Sequence, residues 1–119
     1  MDTPAYRNLK VWQKAMDLVL EAYALARRLP ANERYGLTSQ LQRAAVSVPA
    51  NIAEGNGRVH PGEYLHHLSI ARGSLLELDT HLEVARRLDY FSEHDLAEIH
   101  RLRGHVSRML HGLMARLRT

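Results

Sequence analysis

Glu63 and His66 stand three residues apart, the spacing by which carboxylate-bridged di-metal bundles place two ligands on one helix face. Such a centre also needs a second Glu-x-x-His pair and two further inward glutamates, and no second pair occurs. His66 and His67 are neighbours, so on a helix they diverge by about 100° and cannot share one ion. They are expected to be surface histidines. With no cysteine in the chain, thiolate zinc sites and disulfides are excluded. Ser47, Ser69, Ser74 and Ser107 fall inside helical stretches and lack the exposed strand-to-helix turn that a serine nucleophile uses. Gly55-Asn56-Gly57 follows no strand and precedes no lysine, which excludes a phosphate loop. The expectation is a protein that is not an enzyme and carries no cofactor and no metal.

Two other groupings remain. Gln40, Arg43, Ser47, Asn51 and Glu54 are spaced three, four, four and three residues apart, within a narrow sector of one helix. A solvent face in a basic protein would show Lys–Glu pairs. This mixture suits a partly buried network whose members satisfy one another, with a plain solvated face as the alternative. Ser74 and Glu77, beside Gly73, form a matching patch where a glycine would let a neighbouring backbone come close. The expected bond pairs Arg43 with Glu77 or Glu54.

The second grouping is basic. After Glu98 there is no acidic residue, yet Arg101, Arg103, Arg108, Arg116 and Arg118 follow, with His100, His105 and His111 among them. Arg101, His105 and Arg108 share a helix face opposite Leu102, Val106 and Leu113. Complementing the helix C-terminus accounts for Arg116 and Arg118 but not for Arg101 or Arg103. A face with one sign of charge is a footprint for phosphate. Lys10 and Lys14 are the only lysines among 16 basic residues. The rest are arginines, whose planar fork matches phosphate and stacks on bases.

Positioning these groups requires helices, expected over about residues 8–29, 36–54, 61–88 and 92–118. In the first, Leu9, Trp12, Met16, Val19, Tyr23 and Ala26 make a bundle seam, and Asn8 is the expected N-cap. A second apolar stripe, Val11, Ala15, Leu18, Ala22, Leu25 and Leu29, runs beside it. Such a wide apolar arc means either deep burial or a neighbouring subunit, and the second is expected. In the second helix, Leu37, Leu41, Ala45, Val48 and Ile52 face inward across Pro49, which predicts a kink rather than a break. Pro61 opens the third helix, along which Tyr64, Leu68, Ala71, Leu75, Leu78, Leu82 and Ala85 keep the heptad step. Ser92 and Asp95 resemble a capping box before the fourth, whose apolar face runs Leu96, Ile99, Leu102, Val106, Leu110, Leu113 and Leu117. No stretch alternates as a strand would. The economical architecture is all-α: one up-down antiparallel four-helix bundle domain over residues 1–119.

A length of 119 residues with 45% hydrophobic residues fills one core. The N-terminus lacks the basic flank and apolar run of a secretory signal. No apolar stretch reaches the roughly 20 residues that span a bilayer. A soluble, cytoplasmic protein is expected, without a membrane partner.

Leu9-Lys10-Val11-Trp12, Tyr35-Gly36-Leu37-Thr38-Ser39-Gln40, Arg43-Ala44-Ala45, Ser47-Val48-Pro49-Ala50-Asn51-Ile52-Ala53-Glu54-Gly55 and Ala71-Arg72-Gly73-Ser74-Leu75-Leu76-Glu77-Leu78 together resemble a known family. These are the four-helix bundle proteins encoded in intervening sequences of bacterial 23S rRNA genes, also labelled S23. The likeness spans nearly the whole chain, and its Pro-Ala-Asn-Ile-Ala-Glu-Gly run is specific. It implies the same bundle and a ring-shaped homopentamer, which would give the second stripe of the first helix a partner. The chain is also similar to the accessory variability determinant of diversity-generating retroelements, a basic pentameric barrel that associates with a reverse transcriptase and nucleic acid. The resemblance implies no catalytic role for Gln40, Arg43, Asn51, Glu54 or Glu77. A structural part in the ribosome is not expected, whatever the S23 label. The function expected is an oligomeric adaptor that binds RNA or DNA with low sequence specificity. A protein-binding scaffold is the alternative.

Overall fold

The computed structural model describes residues 3–119. Four long helices account for most of them: α1 Lys10–Ala26, α2 Leu37–Asn56, α3 Pro61–Arg87 and α4 Ala97–Leu117. Two short 3-10 turns, Ala5–Asn8 and Ala31–Glu33, precede α1 and α2. Each helix packs on its neighbours in the chain, and α4 returns to α1. Cross-helix pairs fix the directions. Ser47 meets Ser74, Asn51 meets His67 and Asn56 meets Tyr64, so α2 and α3 run antiparallel. Lys10 lies by Arg116, while Lys14 lies by His105, so α1 and α4 do too.

The apolar faces read from the sequence of α2, α3 and α4 close on one core. Leu41, Ala45, Val48 and Ile52 of α2, Leu68, Leu78 and Leu82 of α3, and Ile99, Val106 and Leu110 of α4 are all fully covered. Met114 joins them. Pro49 is buried and α2 continues through it without a break.

Helix α1 corrects the sequence reading. Val11, Ala15, Leu18, Ala22, Leu25 and Leu29, expected to meet another subunit, are buried against the chain's own core. The expected seam is split: Val19 and Ala26 are buried in the same core, while Met16 is 36% exposed and Trp12 and Tyr23 are half-covered. The two stripes are equally apolar, but Ala15 and Ala22 on one let α1 approach its neighbours closely. Bulky Trp12, Met16 and Tyr23 on the other do not.

The helix ends also differ from expectation. Asn8 sits inside the first 3-10 turn and caps nothing, and the residue before α1 is Leu9. At the α3–α4 turn the reciprocal box does form: the Ser92 amide donates to Asp95 (2.8 Å) and the Asp95 amide donates to Ser92 Oγ (3.1 Å). Regular α4 nevertheless begins later, at Ala97. Helix α3 ends on Asp89 at φ 63°, with Tyr90 N–H bonded to Ala85 O and Asp89 N–H to Arg86 O. This is the Schellman pattern, with aspartate where glycine is usual.

The glycines split sharply. A Cβ on Gly73 would meet nothing within 4 Å, so this glycine accommodates no neighbour, contrary to expectation. The close approach is at Gly55, where a Cβ would lie 2.8 Å from His67 Cβ and 3.2 Å from the Tyr64 carbonyl oxygen. Gly73→Ala is therefore expected to stabilise the protein by up to about 1 kcal/mol through helix propensity. Gly55→Ala is expected to lose that gain and destabilise it, because α3 must move away. Thermal melts of the two variants, shifting in opposite directions, check this.

Two half-buried carboxylates add a pH dependence. Asp95 is held at about 2, against 3.8 normally, by the Ser92 backbone N–H and then by Arg28. Hydrogen bonds from Arg86 and Arg87 hold Glu83 at about 2, against 4.5. Both folded values lie below the unfolded ones, so their stabilisation is complete above the unfolded values and drains away as pH falls toward 2. Melting temperature measured from pH 5 to 2 should fall, and Asp95→Asn should flatten part of that fall.

Candidate nucleic-acid interface and the polar seam

The sequence singled out two groups of residues, one on α2 and α3, one on α4 and the start of α1. The structure brings part of each together.

Along the α2–α3 seam, the buried Ser74 donates to Ser47 Oγ at 2.8 Å. Asn51 Nδ2 reaches Ser47 through both its carbonyl (2.9 Å) and its Oγ (3.0 Å). The amide oxygen of Asn51 faces His67 Nδ1 at 3.2 Å, and the other ring nitrogen lies 4.0 Å from Glu54, which holds Arg58 at 2.8 Å. These bonds satisfy polar groups that helix packing removes from water. Small hydroxyls and an amide allow it, because they bond across a short interhelical distance where longer side chains would wedge the helices apart.

The expected charge pair is absent. Arg43 is exposed and has no described carboxylate within 4.0 Å. Glu77 instead stands 3.5 Å from His81, and Gln40 is exposed. The reason is position: Arg43 and Gln40 lie at the outer edge of the stripe, where α2 turns toward solvent. His67, expected at the surface, is a half-buried member of the seam. The signal that could have found it is the heptad step His67, Ser74, His81 on α3, which puts all three beside the apolar face. Glu63 and His66 line a shallow surface recess with Arg58 and His67. Among the described residues no three metal-binding side chains converge.

The basic residues divide between two faces of α4. Arg101 is bonded by its neighbour Glu98, whose carboxyl is held below its usual range by that contact. Arg103 and His100 turn to the α3 side, 3.4 and 3.8 Å from Asp79. Neither contact is a well-formed hydrogen bond. Arg101 thus stays on the surface of α4, while Arg103 and His100 lie toward α3. On the α1 side, Lys10, Arg108 and Arg116 line a groove of about 430 Å³ whose floor is Leu9, Val11, Met109 and Leu113. It continues past Lys14, Gln13 and His105, with Asp17 at its far end, 3.6 Å from Lys14. No described carboxylate is within ion-pairing distance of Lys10, Arg108 or Arg116. Arg118 lies beyond the end of α4, exposed. The antiparallel return of α4 thus unites lysines and arginines nearly a hundred residues apart in sequence.

Removal of the amide that ties the seam should cost more than removal of its charged edge. Asn51→Ala leaves Ser47 and His67 short of partners and is expected to destabilise by about 1–3 kcal/mol. Arg43→Ala should stay within about 0.5 kcal/mol of the parent. Urea unfolding of both variants checks the ranking.

The sequence pattern of the 23S rRNA-intervening sequence protein family matches residues 7–112. A solved structure of a protein of unknown function from the S23 ribosomal protein family of Bacteroides thetaiotaomicron VPI-5482 aligns with a TM-score of 0.79. It is 22% identical, with 87% of this chain and 97% of that one covered, a likeness that concerns the fold. No curated protein matches the chain. Four helices in this arrangement, with the matched pattern running from the turn before α1 to the last turns of α4, make the chain a member of the 23S rRNA-intervening sequence protein family.

Proposed function

We propose that this protein is a non-enzymatic, oligomeric adaptor that binds RNA or DNA through the α1–α4 groove, with low sequence specificity. The observation that carries the proposal is the convergence of Lys10, Arg108 and Arg116 without a described carboxylate partner. Cations left unpaired in one concavity raise the local concentration of polyanions. Arg101 and Arg103 lie outside this groove, beside Glu98 and Asp79. Nothing along the groove resembles a base-reading motif, so the affinity is electrostatic in origin. No helix among the described residues is long and apolar enough to cross a membrane, in keeping with action in the cytoplasm.

The oligomer, a homopentamer by family resemblance, finds support in another surface. Tyr6, Trp12, Met16, Val46, Pro49, Ala50 and Ala53 line an open apolar groove between α1 and α2. A face of this kind favours a protein neighbour. It also supports the second reading, a scaffold that binds only proteins, for which capture of a partner would survive nuclease treatment.

Gel retardation of RNA and DNA across a salt series tests the main proposal. Binding should weaken with a log–log slope of magnitude about 2–3, as expected for roughly three phosphates, and Lys10/Arg108/Arg116→Ala should abolish it. Retardation that survives the triple variant, or no retardation at low salt, overturns the proposal. Sedimentation should give an assembly larger than the 13.6 kDa chain, and Met16→Glu with Val46→Glu should reduce it to that mass.

A further inference from the structure

Gly104 and Gly112 stand four residues before Arg108 and Arg116. Helical side chains lean back toward the preceding turn, so each arginine lies over its glycine. Arg108 Nη1 is 3.4 Å from where a Cβ on Gly104 would be, and Arg116 Nη1 is 3.7 Å from that position on Gly112. A Cβ at either glycine would lie in ordinary van der Waals contact with the guanidinium, and a longer side chain there would compete with it for the same space. The two arginines rest over these glycines, about 12 Å apart along the axis, beside the apolar lining of Met109 and Leu113.

From this arrangement we infer that the groove selects single-stranded over duplex nucleic acid, with unpaired bases laid on the guanidinium groups of Arg108 and Arg116 and the apolar lining, and phosphates along the rim at Lys10. The inference rests on the nucleic-acid reading above and specifies its substrate. Its warrant is the mixed chemistry of the groove. A duplex keeps its bases stacked inside and offers mainly phosphate to a surface without reading groups. It would satisfy Lys10, Arg108 and Arg116 and leave Leu9, Met109 and Leu113 uncovered. A single strand offers a negative backbone and exposed planar rings together, and arginine planes are a recognised stacking surface for such rings. Lysine matches the charge of arginine but has no plane to stack on.

Fluorescence anisotropy with a labelled 12-nucleotide single strand and the matching duplex, at one salt concentration, tests it. The parent protein is expected to bind the single strand about tenfold more tightly, the gain from one or two stacked bases. Arg108→Lys with Arg116→Lys should weaken the single strand several-fold more than the duplex, erasing most of that preference. Gly112→Leu, which preserves every charge, should weaken the single strand selectively, and circular dichroism confirms that both variants remain helical. Equal or tighter duplex binding by the parent, or a preference that survives the lysine variant, overturns the inference and leaves the broader proposal standing. Displacement of the single strand by an acidic peptide of equal charge as efficiently as by unlabelled oligonucleotide overturns both, and assigns the groove to a protein partner. Failure to bind either strand form sinks both.

Discussion

The distance between α2 and α3 is set at Gly55, whose missing side chain lets the backbone of α2 settle against Tyr64 and His67. Everything along the seam follows from that contact. Ser47 and Ser74 can touch only because the helices are already close, and Asn51 spans the remaining gap to His67 because its amide is short. A polar interface of this kind contributes little net energy per bond, since each bond replaces one to water. It is costly to disturb, because a misplaced partner leaves a desolvated group unpaired. The seam therefore defines register, while Leu41, Ile52, Leu68 and Leu78 behind it supply the hydrophobic stabilisation.

Charge is sorted by the same packing. Where helices meet α3, cations find carboxylates: Arg58 with Glu54, Arg103 and His100 near Asp79, and Arg86 and Arg87 around Glu83. At Lys10 and along the second half of α4 no described carboxylate comes within ion-pairing distance, since no acidic residue follows Glu98. The bundle is thus electrostatically lopsided despite a net charge of only +3. A modest total conceals one concentrated positive strip.

Most of the architecture was legible because heptad spacing on α2, α3 and α4 is unambiguous: each has one apolar face, and that face is buried. The reading of α1 failed because two apolar stripes adjoin, and periodicity alone does not rank them. Side-chain size does, since Ala15 and Ala22 mark the face that approaches a neighbour. The polar seam was half legible. Ser47, Asn51 and Ser74 stood out as uncharged groups at core spacing, whereas His67 was hidden by its neighbour His66. The expected Arg43–Glu77 pairing depends on reach, and reach depends on how far a stripe has rotated from the interface. The basic groove needed the fold itself, since no local pattern tells that Lys10 and Arg116 become neighbours.

Helices α2 and α3 are joined through residues 57–60, a link of four. Loop closure over so short a span has a small entropic cost, and the bonds that align the pair span 8 to 27 residues. Helices α1 and α4, by contrast, must find each other from opposite ends of the polypeptide. The hairpin is accordingly the part of the chain able to organise first during synthesis, and the cationic cleft is the last feature to exist. A ribosome-bound, unfinished chain lacking α4 has its polar seam and has no cleft with which to hold a polyanion.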